Sequence, residues 1–172
     1  MSVSQNNHLL MNYIRGMAKT LEEEWQTSAR DLGLTLAEQH IMWIVHLEGK
    51  ASISRIAKVG LWDRSTVMQV IKRLVSKGFV QVLKDDRDLR VSYVVLTNEG
   101  ESKRKETQKE SFELFDFIDD YQKRNPGFIE QLISFHREAN RHFHGDDFVE
   151  WVDKTTQEYD EKTAEKSSAN HK

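Results

Sequence analysis

Ser65, Thr66, Met68, Gln69, Lys72 and Arg73 form the group of side chains with the clearest chemistry in this sequence. Wound into a helix, they lie opposite Val67, Val70, Ile71 and Leu74, which recur at i, i+3, i+4 and i+7 and so mark a buried stripe. An exposed face of this kind suits nucleic acid. Glutamine can bond adenine N6 and N7, the Thr66 and Met68 methyls can meet a thymine methyl, and Lys72 and Arg73 can neutralise phosphates. Asp63 is placed to cap the helix and Gly78 to end it. A shorter helix precedes it, with Ser54 read as its N-cap, Ile56, Ala57 and Val59 inward, Gly60 at the exit, and Leu61 and Trp62 in the turn. Ser54 and Arg64, near the starts of the two helices, join the candidate DNA contacts.

After Gly78 the period changes from helical to extended. Phe79 to Leu83 and Val91 to Leu96 are rich in β-branched and aromatic residues and read as two strands of a hairpin. The loop between them, Lys84 to Arg90, holds three cations and three acids, too polar to bury. It reads as a wing. Lys84 suits a phosphate, Arg90 and secondly Arg87 suit a narrow minor groove, and Asp88 can brace the loop by pairing within it. Thr97 caps the next helix. Helix, turn, helix, hairpin and helix in this order predict a mostly α fold with a small β-hairpin wing, a winged helix-turn-helix.

These elements need support from both sides. Leu10, Ile14, Met17, Leu21 and Trp25 make an apolar stripe on an N-terminal helix, widened by Tyr13. Thr35 and Glu38 form a capping box for a second helix that carries Ile41, Trp43, Ile44 and Val45 toward the core. A long helix is expected from about Asn98 to Pro126, followed by two more, one with Phe128, Leu132, Phe135 and Phe143, the other with Phe148, Val149, Trp151 and Val152. The domain reading is 1–34 as an N-terminal dimerisation helix, 35–97 as the winged helix-turn-helix, 98–160 as C-terminal dimerisation helices and 161–172 as a polar tail. The flanking aromatic stripes exceed what a small winged helix can cover, so a second subunit is the economical cover. The residues expected at that interface are Leu10, Ile14, Met17, Leu21, Phe128, Leu132, Phe148, Trp151 and Val152. A two-fold dimer sets its recognition helices roughly 34 Å apart and reads an inverted repeat in double-stranded DNA.

The chain also resembles the MarR-type transcriptional regulators. The resemblance rests on Ile56-Ala57, on Asp63-Arg64-Ser65-Thr66-Val67, on Asp88 and Arg90 in the wing, and on Leu96-Thr97 with Gly100. Leu89 departs from the Asp-Arg-Arg that the family usually has in the wing, so the phosphate contact of that middle position does not carry over; Arg90 corresponds to the arginine that family members insert into the minor groove. Trp43, Gly49 to Ser54 with Ile56-Ala57-Lys58, and Gly145-Asp146-Asp147-Phe148 make it most similar, within the family, to the Hpr (ScoC) group of Bacillus repressors. The resemblance implies a dimer paired through its terminal helices. It further implies a repressor of extracellular protease and sporulation genes in the transition to stationary phase, and allows for a small-molecule effector near Tyr13, Trp25 and Trp43.

Composition narrows the rest. A net charge of −3 argues against indiscriminate binding to polyanions, yet Ser52 to Arg90 holds nine Lys/Arg against four Asp/Glu, and Asp146 to Lys166 holds three against eight. The basic half should face DNA, with Lys58, Lys72, Arg73, Lys84, Arg87 and Arg90 supplying phosphate and groove contacts. With no cysteine, disulfides, thiolate metal sites and thiol-based sensing are excluded, which fits a cytoplasmic protein. No apolar run reaches the roughly 18 residues of a membrane span. His142, His144, Asp146 and Asp147, with His136 and Glu138 near, have the spacing of a metal site. Asp146 and Asp147 also suit the cap of a following helix, so no metal or cofactor is assigned. No phosphate loop, HExxH pair or GxSxG elbow is present, and no enzymatic activity is expected. The rival readings are a winged helix used for protein contacts and a metal- or small-molecule-responsive sensor.

Overall fold

A computed structural model describes residues 3–85, 91–107 and 112–156. Helix α1 (Val3–Asp31) leads into α2 (Leu36–Glu48), a two-residue strand β1 (Ala51–Ser52), α3 (Ile53–Gly60) and α4 (Arg64–Ser76). Strands β2 (Val80–Lys84) and β3 (Ser92–Leu96) follow, then α5 (Asn98–Glu106), α6 (Glu113–Arg124), α7 (Phe128–His144) and a last helix α8 over 146–156. The fold is the expected mostly α one with a β-hairpin wing.

The sheet has the order β1-β3-β2 and is antiparallel throughout. In the hairpin Val82 faces Val94 and Lys84 faces Ser92, and Asp85 N–H donates to Val91 O at 3.1 Å. On the other edge of β3, Ala51 pairs with Val94 and Ser52 with Tyr93. This third strand ties the entry of the helix-turn-helix to the wing, and two residues are too few to show a period in the sequence.

One core holds the module together. Ile41, Ile44 and Val45 of α2, Ile56 and Val59 of α3, Val67 and Leu74 of α4 and Val94 of β3 are all essentially inaccessible to solvent. Burying each such side chain contributes about 1.5 to 3 kcal/mol. Ala29 and Leu34 join the same core, so it begins before residue 35.

Local chemistry sets the helix ends. The Thr35–Glu38 capping box is complete: Glu38 N–H donates to Thr35 Oγ1 at 3.2 Å and Thr35 N–H donates to Glu38 Oε2 at 2.8 Å. The cap of α3 is Ser52, not Ser54, and accepts from Arg55 N–H at 3.1 Å. β1 brings Ser52 into extended backbone and frees Ser54 to sit exposed on the first turn. The residue that leaves α3 in a left-handed conformation is Leu61, at φ 57°, not Gly60. Gly60 is the last helical residue, where a Cβ would lie 2.6 Å from the Trp62 ring. It is there to let the indole lie against the helix.

Three further expectations change. The long helix from Asn98 is two helices, α5 and α6; at the end of α5, Arg104 is buried and Thr107 accepts a bond from Trp43 Nε1 at 3.0 Å. Trp43 accordingly faces α5, under the Arg104 guanidinium at 4.7 Å, instead of entering the module core. Trp151, expected at the dimer interface, packs against the core of its own chain.

Candidate nucleic-acid interface

Asp63 begins the candidate site. Its carboxylate accepts from Thr66 N–H at 2.8 Å and from the hydroxyls of Thr66, at 2.6 Å, and Ser65. Those three bonds, the Ser65 hydroxyl first, hold the Asp63 carboxyl well below the usual carboxylate range. The cap fixes the first turn of α4, and in doing so occupies the donor hydrogens of both hydroxyls. Ser65 remains exposed with lone pairs to offer, whereas Thr66 is half-buried and serves the cap first.

Past the cap, α4 divides as its periodicity requires. Val67, Val70, Ile71 and Leu74 are buried, while Arg64, Ser65, Met68, Gln69 and Lys72 are exposed. Met68 keeps 44% of its surface accessible, so its side chain is available for contact on the solvent side of α4. Gln69 and Lys72 lie beside it, one turn past Ser65 and Met68, so base-edge and phosphate chemistry share one side of the helix.

Two cations expected on phosphates, Arg73 and Lys58, are engaged within the chain. Arg73 Nε lies 3.4 Å from Glu38 Oε1, and Lys77 Nζ lies 2.8 Å from Glu38 Oε2. Burial alone would raise the Glu38 carboxyl. The Lys77 hydrogen bond, the Thr35 N–H and the charges of Lys77 and Arg73 outweigh it and keep the group below its ordinary value. Lys58, exposed on α3 one turn beyond Ser54, meets Asp147 at 2.7 Å. Sequence could not reveal these partners, because Glu38 and Asp147 come from distant segments. Lys84 is exposed at the base of the wing. The wing contacts Arg87 and Arg90 and the brace Asp88 lie outside the described residues.

The wing is fastened to the end of the recognition helix. Thr97 Oγ1 donates to Gly78 O at 2.6 Å and accepts from Gly100 N–H at 3.0 Å. Gly100 sits so close to the Phe79 carbonyl that a Cβ would come within 1.9 Å of its oxygen.

A cavity of about 480 Å³ lies between α1, α2 and the C-terminal helices, lined by Leu21, Trp25, His40, Trp43, Phe115 and Trp151 among others. Trp25 and Trp43 therefore stand where an effector was expected, but Tyr13 is 69% exposed and does not reach it. The His40 ring sits between Trp25 at 4.8 Å and Trp62 at 4.9 Å, and burial pushes it down to about 4, so it is neutral. Gln39 Oε1 and Trp151 Nε1 are buried there without a hydrogen-bond partner.

The residues expected at a dimer interface divide. Leu10, Ile14 and Met17 are exposed along α1, and Val152 is exposed on α8. Phe128, Leu132 and Phe148 are half-buried, and Leu21 turns to the cavity. No residue of α7 is buried, and Ile133, Phe135 and Phe143 are each at least 60% exposed. Asp146 pairs with Arg141 while Asp147 pairs with Arg55 and Lys58, so the two acids point to different partners. Among the described residues no group of three or more His, Asp or Glu side chains is placed to hold a metal ion. Nor is any described helix long and apolar enough to cross a membrane.

Residues 34–92 match the model of the MarR family. The regulator Hpr of Halalkalibacterium halodurans is 32% identical over 152 residues, covering 84% of this chain and 76% of that protein. The DNA-binding transcriptional repressor ScoC of Bacillus subtilis is 31% identical over 147 residues, 79% and 68% of the two chains. Hpr of Exiguobacterium sibiricum is 40% identical over 101 residues, a match that spans 59% of this chain and about half, 53%, of that relative. Among solved structures, a mutant MarR of E. coli complexed with operator DNA superposes with a TM-score of 0.66 at 18% identity, over 81% of this chain and 99% of that one. The regulator BldR of Sulfolobus solfataricus superposes with a TM-score of 0.64 at 20% identity, over 82% and 99%. The chain belongs to the MarR family.

Proposed function

We propose that this protein is a homodimeric, sequence-specific DNA-binding transcriptional regulator that acts in the cytoplasm as a repressor, with protease and sporulation genes of the transition to stationary phase as its targets. The observation that carries the reading is α4: one side is fully committed to the core, and the other presents Met68 to solvent beside Arg64, Ser65, Gln69 and Lys72. Arg64 and Lys72 supply phosphate contacts, Gln69 and Met68 read bases, and Ser54 and Lys84 hold the backbone on either side. Arg90, Arg87 and Asp88 act at the wing. The likeness to a MarR held on operator DNA and to ScoC supports this role. Its chemistry is recognition, not turnover.

The test is selection of genomic fragments by the purified protein at physiological salt. The reading expects enrichment of an inverted repeat with half-sites about ten base pairs apart. Absence of any enriched sequence would favour a winged helix used for protein contacts. In the same assay Gln69→Ala lowers discrimination by about 1 to 3 kcal/mol at one base pair; equal loss on random DNA would remove Gln69 from base reading.

The cavity beneath Trp25 and Trp43 supports a second element of the reading, a small-molecule effector. Its lining is aromatic and aliphatic, His40 in it is neutral, and His40 touches Trp62 in the turn before α4. An occupant displacing His40 presses on that turn. Melting-temperature screening with aromatic metabolites, followed by DNA binding, tests it.

A further inference from the structure

Asp147 lies at the start of α8, where the C-terminal helices meet the DNA module. Its two carboxylate oxygens each accept from Arg55 Nη1 at 3.0 Å, and Oδ2 also meets Lys58 Nζ at 2.7 Å. Arg55 turns its remaining edge to Glu48 of α2, with Nε and Nη2 both 3.1 Å from Oε1. A single guanidinium is thereby held between α2 and α8, and the first helix of the helix-turn-helix is joined to the C-terminal segment. Val149, two residues on, is buried, and Trp151 rests on the module's core. No residue of α7 is buried, whereas Asp147, Val149 and Trp151 bring the first two turns of α8 onto the module.

The network is half-exposed, with 44% of the Asp147 side chain accessible, so it adds little to stability. Its geometry, with one guanidinium nitrogen shared by both Asp147 oxygens and two on a single Glu48 oxygen, holds Arg55 from both sides and fixes direction instead. Because α3 and α4 share one core, the angle between α8 and α3 also sets the angle between α8 and the recognition helix. The lever is sensitive: a tilt of about 7° moves the far side of a module about 30 Å across by roughly one base-pair rise of ~3.4 Å. Nearby acids cannot replace Asp147, since Asp146 is taken by Arg141 and Asp153 by Arg137.

We infer that Asp147 is a positioning residue for DNA recognition: by clamping Arg55 and Lys58 it fixes the separation of the two recognition helices in the dimer, and so selects the half-site spacing. The inference rests on the dimeric reading above. Having no cysteine, the chain can carry one spin label per subunit through Ser76→Cys, an exposed position at the end of α4. The label-to-label distance distribution is then measured by pulsed dipolar spectroscopy on the full-length protein without DNA. Asp147→Ala should widen that distribution by roughly two-fold or more, and Asp147→Glu, which restores a carboxylate, should narrow it again. Unfolding temperature measured alongside shows that the variant is folded. An unchanged width in folded Asp147→Ala overturns the inference while leaving the dimer intact. Loss of any dipolar signal in the Asp147-containing protein overturns the dimeric reading and the inference with it.

Discussion

Residues 35–97 and the helices around them dispose of apolar surface in opposite ways. In the module, Ile41, Ile44, Ile56, Val67, Leu74 and Val94 close on one another within a single chain. In the flanks, Leu10, Ile14, Phe135 and Phe143 stand more than half exposed, and no residue of α7 is fully buried. Exposed apolar faces of this extent mark surfaces awaiting cover. The module is thus complete in one chain, and on the dimeric reading proposed above the flanking helices are the part a second chain would complete.

Breaking the flank should leave the module standing. Leu10→Glu combined with Ile14→Glu places charges on the exposed stripe of α1; light scattering should report a single chain, and affinity for an inverted repeat should fall by about 10² to 10⁴ as two linked half-site contacts become one. Retained dimer mass would move the interface elsewhere. Breaking the module is the converse. Leu74→Ala opens a hole in a fully buried site and should cost about 2 to 5 kcal/mol in denaturant unfolding, while leaving the flank's chemistry alone.

His40 sharpens the comparison because its ring joins Trp25 of the flank to Trp62 of the module. Its folded value near 4 lies below the ordinary 6.5, so the unfolded chain takes up a proton first and acid favours unfolding. The contribution is fully present above pH 6.5 and is lost as pH falls through 4, on the order of 3 kcal/mol in all. His40→Gln should flatten that part of the stability–pH curve, and an unchanged curve would show that another group is responsible. Smallest of these effects is Thr35→Ala, which removes the α2 cap and should cost about 1 kcal/mol in the same unfolding measurement.

The sequence was most readable where structure is local. Thr35 with Glu38, Asp63 before Val67, the stripe of α4 and the β-branched runs of the hairpin each carry their own signal within a few residues. What could not be read comes from distant contacts. Ser52 and Ser54 are equal candidates for a cap until β3 pairs with Ser52. The break after Glu106 has no Gly or Pro to announce it, and Trp43 and Thr107 meet there across the fold. Arg73 and Lys58 looked available to phosphate because Glu38 and Asp147 are 35 and 89 residues away in the chain. Trp151 also packs on the core of its own chain, which the sequence could not show, since an aromatic on an amphipathic helix has no mark that says which neighbour covers it.

Sedimentation of the protein with a duplex carrying the selected inverted repeat tests the central claim most directly. Two chains per duplex, with the free protein at about 40 kDa, twice the 20.2 kDa of one chain, are expected. A free protein of single-chain mass that binds the duplex one to one, with no loss on removal of one half-site, would contradict it.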